Sequence, residues 1–281
     1  LDLSNQVTID GETPDIVDNS GDIESEKFGT TFSGVHWANI EGNTEHSSIG
    51  YYFPQSGTEI HAMKERRDSN WNTQGPNDVP ASGGYATLWF EHGENPVNEE
   101  YQYVILPNKN VEDTQSYSEN PDIEVLANTT DVQAVRENKL GLTGVNFWND
   151  EETTVSGITS NKKASVMVKT TEDTIELSIS DPTQANTGTI ELTLALPCES
   201  VVSKDDTITV EQLEPGLKIT VNVADTYGAS QRIVLQRSQK AGLEVVSASA
   251  VADIKVPVGT AFADLPLPET VKVLANDLSE Y

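Results

Sequence analysis

The sequence predicts an all-β protein built from stacked antiparallel sheets. Short apolar-alternating or β-branched segments recur along the chain and end at turn residues. About ten such segments, spaced by roughly 8–15 residues, are typical of β-sandwiches. Only two short segments, 111–118 and 131–136, have a composition that suits helices. A chain of 281 residues has room for two or three such domains, each with its own core.

The individual strand segments are recognised by alternation and by the turn residues that end them. QVTI at 6–9 ends in Asp10-Gly11, a strong turn dipeptide, and SIGYYF at 48–53 ends at Pro54. An alternating segment that begins at Tyr101 carries aromatic side chains on one face. The other predicted strands are 86–91, 123–127, 165–168, 174–179, 189–196, 207–210, 217–223 and 232–236.

Three blocks follow one another along the chain. Residues 1–107 are predicted to form the end of a large antiparallel sandwich, 108–120 a linker, and 121–239 a smaller β-sandwich. The last block, 243–281, places Pro257 beside strand segments and contains a Leu-Pro-Leu-Pro turn. It resembles the first strands of a bacterial immunoglobulin-like repeat, as found on secreted Gram-positive enzymes. That resemblance implies an extracellular protein of a Gram-positive bacterium.

The charge of the chain restricts its partners. The net charge is −28, with 45 Asp and Glu residues against 17 Lys and Arg residues. Nucleic acid and anionic membrane surfaces both require a cationic footprint, so neither is an expected partner. Membrane insertion is not expected either, because no apolar run approaches the length of a membrane span. An acidic ligand would need a local basic patch, which gives weight to the few clustered arginines.

The single cysteine and the N-terminus each lead to one expectation. Cys198 has no partner for an internal disulfide and follows an apolar strand end, which predicts a small buried residue. The N-terminal Leu-Asp-Leu leads directly into a strand segment without a signal peptide. The chain is therefore expected to be an interior piece of a larger precursor.

A set of short motifs occurs in a fixed order between residues 6 and 239. The motifs are Ile49–Pro54, Arg66-Arg67 before Trp71, Glu91-His92-Gly93 with Pro96, Tyr103–Asn108, Asn128 with Gln133–Val135, and Asn146-Phe147-Trp148. This order resembles the C-terminal β region of polysaccharide lyase family 8, whose members cleave hyaluronan, chondroitin or xanthan. One departure is visible after Trp71, where Asn72-Thr73-Gln74-Gly75 stands in place of the Trp-x-x-Ile-Asn pattern of many relatives.

The resemblance implies a domain order and a reaction. Residues 1–107 would end the family's central β supersandwich, and 121–239 would form its C-terminal β-sandwich. The family cleaves by β-elimination: a base removes the C5 proton of a uronic acid, the C4–O4 bond breaks, and the developing charge beside the carboxylate is neutralised. The Asn, His and Tyr that do this belong to an α/α-toroid domain expected before residue 1. No catalytic residue is therefore assigned here, and the fragment alone is expected to be inactive.

The expected partners are an acidic polysaccharide and the toroid domain of the same protein. The only dense cationic patch is Lys64–Arg67. Arg66 and Arg67 can each bind a sugar carboxylate through two hydrogen bonds, and some xanthan lyases use an arginine of the β region in this way. The alternative is a solvated strand end in which Glu65 and Asp68 pair with the arginines.

Three further residues could complete a sugar-binding surface. Trp71, in a Gly- and Asn-rich loop, offers an indole face for stacking on a sugar ring, and Asn72 could bond hydroxyl groups. His61 precedes the basic patch and could reach the same cleft. The alternative for Trp71 is a side chain folded over the sandwich edge. Trp37, Trp89 and Trp148 are predicted to belong to cores.

No cofactor is expected. The four histidines lack the clustered spacing of a zinc site. The segment 18–24 places oxygen ligands at alternate positions, as calcium prefers. However, an EF-hand would have glycine in place of Ile23 and glutamate in place of Gly29. A polar surface loop is the favoured interpretation, and a structural calcium ion stays open.

Three functions remain open at this point. The favoured one is a wall of the substrate cleft of a secreted lyase, with Arg66, Arg67 and Trp71 facing the helical domain. The second is a non-catalytic carbohydrate-binding module, which predicts an exposed aromatic platform with its own sugar affinity. The third is a structural spacer, which predicts neither feature.

Overall fold

The fold is described from a computed structural model of the chain. The residues that the structure describes are 6–14, 16, 29–55, 57–70, 75, 78–238, 245–248 and 273–275. They form two compact units, Leu1–Asp122 and Ile123–Tyr281. All strand pairs in both units are antiparallel, and the described residues contain a single nine-residue helix. The prediction of an all-β protein is confirmed.

The first unit consists of two small sheets and one helix. One sheet has the order β1-β3-β4-β7 and the other has the order β2-β5-β6. The elements are β1 (Val7–Ile9), β2 (Thr30–Ser33), β3 (Trp37–Ile40), β4 (Ile49–Tyr52), β5 (Glu59–Asn70), β6 (Pro80–Trp89), β7 (Val104–Pro107) and α1 (Val111–Glu119). The turn after β1 is confirmed, because Asp10 and Gly11 both have positive φ and Ile9 exchanges backbone hydrogen bonds with Glu12.

Side-chain alternation places a core between the two sheets of this unit. The buried apolar residues are Val7, Ile9, Val35, Ala38, Ile40, Phe53 and Ile60. The opposite face of the first sheet carries helix α1, which begins at the N-cap Asn110 and confirms the helix predicted at 111–118. The fully buried Asn39 donates from Nδ2 to Lys109 O and to Thr114 Oγ1, both at 2.8 Å. These two bonds fix the helix to the sheet.

The second unit is a sandwich of two larger sheets. The seven-stranded sheet has the order β16-β19-β14-β13-β10-β9-β8, and the five-stranded sheet has the order β11-β12-β15-β18-β17. The strands are β8 (Ile123–Asn128), β9 (Val132–Glu137), β10 (Leu142–Phe147), β11 (Thr153–Val155), β12 (Ile158–Ser160), β13 (Ala164–Thr170), β14 (Thr174–Ser180), β15 (Thr189–Leu194), β16 (Cys198–Lys204), β17 (Ile208–Gln212), β18 (Leu217–Asn222) and β19 (Gln231–Arg237). Alternate residues of most of these strands form one continuous apolar core.

Two features of this unit test expectations about single residues. Cys198 is a buried free thiol at the start of β16, as predicted, and burial raises its pKa to about 11. The helix predicted at 131–136 is wrong, because Val132–Glu137 is strand β9. Val132, Ala134 and Arg136 alternate into the interior, and this period of two overrides the helical propensity of the segment.

The three tryptophans that were predicted to lie in cores differ in how far they are buried. Trp37 is buried, as predicted. Trp89 is half-buried and stacks on His61. For Trp148 the prediction is wrong, since 41% of the residue is exposed and its Nε1 donates to Gln133 Oε1 at 3.0 Å. An indole needs a partner for its N–H, and a strand end provides one more easily than a core does.

The C-terminal block is described in two short pieces. β20 (Val245–Ala248) and β21 (Val273–Ala275) pair antiparallel. The rest of the predicted immunoglobulin-like segment lies outside the described residues, and so does the oxygen-rich segment 18–24. Among the described residues no helix has the length and apolar character needed to cross a membrane.

Candidate functional site

The cationic patch lies on the longest hairpin of the first unit. Strands β5 and β6 contain twelve and ten residues and pair from His61↔Trp89 to Asn70↔Pro80. The near half of β5 belongs to the sandwich, because Ile60 and Ala62 are buried. The far half extends past the core with exposed side chains. The hairpin therefore presents polar side chains on an extension of the sheet.

Strand alternation sends the two arginines to opposite faces of this hairpin. Successive side chains of a strand point to opposite sides, so Arg66 shares the face of Ile60 and Ala62. Arg67 shares the other face with His61. The two arginines therefore lie in different surroundings.

Arg67 is already paired within its own face. Its guanidinium makes two close contacts with Glu65 Oε1, one of them a hydrogen bond from Nε at 2.6 Å. The guanidinium carbon also lies 5.1 Å from the centroid of the Tyr85 ring. The Glu65 side chain is 18% exposed, so the carboxylate is held in place beside the arginine. This arginine matches the solvated, acid-paired alternative more closely than a free anion site.

Arg66 donates a hydrogen bond to a neutral side chain, and its two terminal nitrogen atoms remain available. Its Nε donates to Ser82 Oγ at 2.8 Å, and the nearest carboxylate oxygen, from Asp68, lies 3.9 Å away. The Asp68 side chain is 82% exposed, so this ion pair is weak. The two terminal nitrogen atoms of Arg66 have no hydrogen-bond partner among the described residues. A planar fork of this kind suits bidentate recognition of a carboxylate.

Of the other predicted binding residues, only His61 belongs to the described part of the chain, and it does not join Arg66. His61 lies five positions from Arg66 along an extended strand, which corresponds to about 17 Å, and on the opposite face. Its ring stacks on Trp89 with centroids 5.3 Å apart, and Nδ1 lies 3.1 Å from Thr31 Oγ1. Trp71 and Asn72 lie outside the described residues.

Sequence reasoning missed an aromatic cavity between the two sheets of the first unit. It has a volume of about 500 Å³ and is lined by residues of both sheets, among them part of β6, and by Tyr101 and Tyr103, which precede β7. Phe90 is one of the lining residues, with its ring centroid 5.5 Å from that of Tyr101 and 6.2 Å from that of Tyr103, and both tyrosines are about half exposed. The aromatic alternation from Tyr101 onward was the available signal, but the strand itself begins only at Val104.

A tyrosine with a raised pKa forms part of the cavity wall. Burial, followed by the nearby Tyr103, raises the pKa of Tyr51. The phenol keeps its proton at neutral pH, as an ordinary tyrosine does, and can donate a hydrogen bond. No group of three potential metal ligands from His, Cys, Asp or Glu occurs within the described ranges.

The ordered motifs have structural roles in this fold. Gly50 lies where an added Cβ would be 2.3 Å from Thr114 Oγ1 of the helix, so the motif at 49–54 permits close packing of α1. Phe147 is fully buried in the second core, and Asn146 Oδ1 accepts a hydrogen bond from Ser165 at 2.7 Å. Gly50, Asn146 and Phe147 thus contribute to the packing of the two sandwiches.

Comparison with known families accounts for both sandwiches. Residues 3–118 match the super-sandwich domain of polysaccharide lyase family 8, and residues 124–190 match the C-terminal beta-sandwich domain of the same family. The chain belongs to polysaccharide lyase family 8. The boundary between the two matched regions coincides with the division of the structure after Asp122.

Individual family 8 proteins share sequence and fold with this chain. The xanthan lyase of Bacillus sp. (strain GL1) is 45% identical over 206 residues, which cover 71% of this chain and 22% of that protein. The hyaluronate lyase HylB of Enterococcus faecalis is 33% identical over 83% of this chain and 23% of its own length. The solved Paenibacillus xanthan lyase superposes with a TM-score of 0.74 at 31% identity, covering 97% of this chain and 27% of that one. The chain thus spans about a quarter of each of these relatives.

Proposed function

We propose that the chain is the C-terminal β region of a secreted lyase that cleaves an acidic polysaccharide by β-elimination. The observation that carries this proposal is family membership over both sandwiches, together with an arginine fork open on a protruding hairpin. The reaction itself would depend on Asn, His and Tyr side chains of a helical toroid domain. The role of this region is to form one wall of the substrate cleft.

Arg66 is the residue best suited to hold the polymer. Its positive charge is opposed only by an exposed carboxylate at 3.9 Å, whereas Arg67 is neutralised by Glu65. In a chain of net charge −28, an acidic polymer can approach only where a cation is locally uncompensated. Xanthan, hyaluronan and chondroitin all carry uronic acid carboxylates that a guanidinium fork can bind.

The aromatic cavity suits contact with the remainder of the enzyme. Exposed contiguous aromatic side chains mark interaction surfaces, and Tyr101 and Tyr103 are exposed near β6 and β7, the strands that end the two sheets within the described part of the chain. Added strands or a neighbouring domain would cover both edges and the cavity. The surroundings, with Glu91, Glu99 and Glu100 nearby in sequence, disfavour an anionic sugar at this position.

Affinity electrophoresis of the 281-residue chain tests the role of the hairpin. Gels containing hyaluronan, chondroitin sulfate or xanthan would be run at low and high salt with the Arg66→Ala and Arg67→Ala variants. One polymer is expected to retard the parent chain at low salt. Arg66→Ala is expected to raise the dissociation constant by at least about tenfold, since a charged hydrogen bond contributes roughly 1.5–3 kcal/mol. Arg67→Ala is expected to change it by about twofold or less, because Glu65 already compensates that charge.

A matched control removes the same charge elsewhere. Arg232 lies on the second unit, is exposed and pairs with Glu176, so Arg232→Ala should leave retardation unchanged. Equal losses in all three variants would show that net charge alone governs binding. That result, or undiminished retardation of Arg66→Ala, would remove Arg66 from the binding site.

A further inference from the structure

A second pocket lies at one end of the seven-stranded sheet in the second unit. Its volume is about 480 Å³, within the roughly 300–1,000 Å³ range of small-ligand sites. It forms where β9 and β13 end and β10 and β14 begin, with the last residue of β19 beside them. Its lining is Arg136, Asn138, Lys139, Leu140, Gly141, Thr143, Thr170, Thr171, Glu172 and Arg237.

The lining concentrates positive charge in a strongly acidic chain. Arg136, Lys139 and Arg237 are three of the chain's 17 basic residues, and Glu172 is the single acidic residue among the ten that line the pocket. Among the described residues Arg136 is paired with Glu124, whereas Arg237 has no carboxylate partner. The uncompensated guanidinium of Arg237 therefore favours an anionic group on a ligand.

Arg136 provides a buried cationic wall. It lies on the interior face of β9 and is only 9% exposed, although it still lines the pocket. Its Nη2 donates to Ser156 Oγ at 2.9 Å, and Nη1 lies 3.7 Å from Glu124 Oε2. Both terminal nitrogen atoms of Arg136 thus face partners within the protein, so this side chain shapes the wall of the pocket.

The rim of the pocket is preorganised by two turns that lock together. Thr170 N donates to Gly141 O at 2.8 Å. Gly141 has a φ of 63°, and an added Cβ would lie 2.3 Å from Thr170 O, so only glycine permits this approach. Arg237 Nη1 donates to Thr171 O at 3.3 Å, which holds the second arginine over the same turn. Leu140, largely exposed on the rim, offers an apolar surface to the face of a sugar ring.

We propose that this pocket binds a carboxylate-bearing sugar unit of an acidic polysaccharide. The guanidinium group of Arg237 receives the carboxylate, the Asn138 and threonine side chains bond hydroxyl groups, and Leu140 contacts the ring. The choice of polymer class rests on the proposed function, whereas the preference for an anionic sugar rests on the pocket itself. The pocket would be a second anchoring point for polymer, separate from the β5–β6 hairpin.

Residue-resolved NMR titration of the isotope-labelled 281-residue chain tests this site. The probes are a hyaluronan tetrasaccharide and, as a neutral match, cellotetraose. The hyaluronan tetrasaccharide is expected to shift the amide signals of 138–141 and 170–172, and cellotetraose is not. Arg237→Ala is expected to weaken the response about tenfold, whereas Arg232→Ala, which removes the same charge from an exposed position of β19, leaves it unchanged.

The outcomes separate this site from the hairpin. Absence of shifts at 138–141 and 170–172 at saturating hyaluronan tetrasaccharide overturns the pocket proposal, whatever the hairpin signals do. Equal shifts with both tetrasaccharides overturn the preference for an anionic sugar. The amide signals of 61–70 report on the hairpin independently. If the tetrasaccharide shifts the pocket signals but not those of 61–70, the proposed role of the hairpin in the substrate cleft is contradicted and the pocket proposal is not.

Discussion

Replacement of Phe147 by alanine is expected to lower the free energy of unfolding of the second unit by about 3–5 kcal/mol, the usual cost of deleting a buried phenylalanine. Phe147 is fully buried and pairs with Val132 and Ala164 in the middle of the seven-stranded sheet. Strands pack on both sides of it, so the surroundings cannot collapse to fill the cavity. Most of the stability of a domain this size would be lost.

Hydrogen exchange measures this effect in the unit concerned. Amides of β10 and β13 should exchange at rates that reflect the lowered stability, and a urea titration should show the second unit unfolding earlier. The matched control is the neighbouring Trp148→Ala, which removes a larger but 41% exposed side chain with one indole hydrogen bond. Trp148→Ala is expected to lower the free energy of unfolding clearly less than Phe147→Ala does. Equal decreases would contradict the buried position of Phe147 and the exposed position of Trp148.

Gly50→Ala is expected to destabilise the first unit by about 2–4 kcal/mol, because overpacking is combined with the loss of a buried hydrogen bond. The new Cβ would lie 2.3 Å from Thr114 Oγ1 and 2.9 Å from Thr114 Cγ2. Thr114 cannot turn away freely, since its hydroxyl donates to Asn110 O and accepts from Asn39 Nδ2. Helix α1 would have to move off the sheet.

Circular dichroism and exchange of the α1 amides would detect that movement. Gly144→Ala is the matched control, because Gly144 also lies within a strand and an added Cβ meets only Met167 Cε at 3.8 Å. That variant should be neutral within about 0.5 kcal/mol. Thr114→Ala should partly rescue Gly50→Ala by removing the two closest atoms. A harmless Gly50→Ala would mean that α1 does not pack as closely as described.

The parts of the fold that the sequence revealed are those governed by local chemistry. Period-two alternation located most strands, Asp10-Gly11 located a two-residue turn, and the composition of 111–118 located the helix. The motif order identified the family, which the comparisons confirm. The segment 131–136 was misread because Val135 lies on the exposed face of the strand and Arg136 on the interior face, which breaks the apolar alternation.

The candidate sites could not be predicted from the sequence, because they depend on strand pairing that no local sequence pattern specifies. Arg66 and Arg67 are adjacent in sequence, but the pleat of β5 separates them to opposite faces. The pocket with Arg136 and Arg237 joins residues a hundred positions apart through the strand order of the sheet. The close approach of Gly141 to Thr170 requires the register between β10 and β13.

The central proposal is tested most directly by the activity of the complete protein that contains this chain. The protein would be incubated with xanthan, hyaluronan or chondroitin while the ultraviolet absorbance of the unsaturated uronic acid product is followed. The account predicts product from at least one of these polymers, and a rise of about tenfold in KM for Arg66→Ala with little change in kcat, because Arg66 acts in binding. Failure to form unsaturated product from any of the three polymers would contradict the proposed β-elimination.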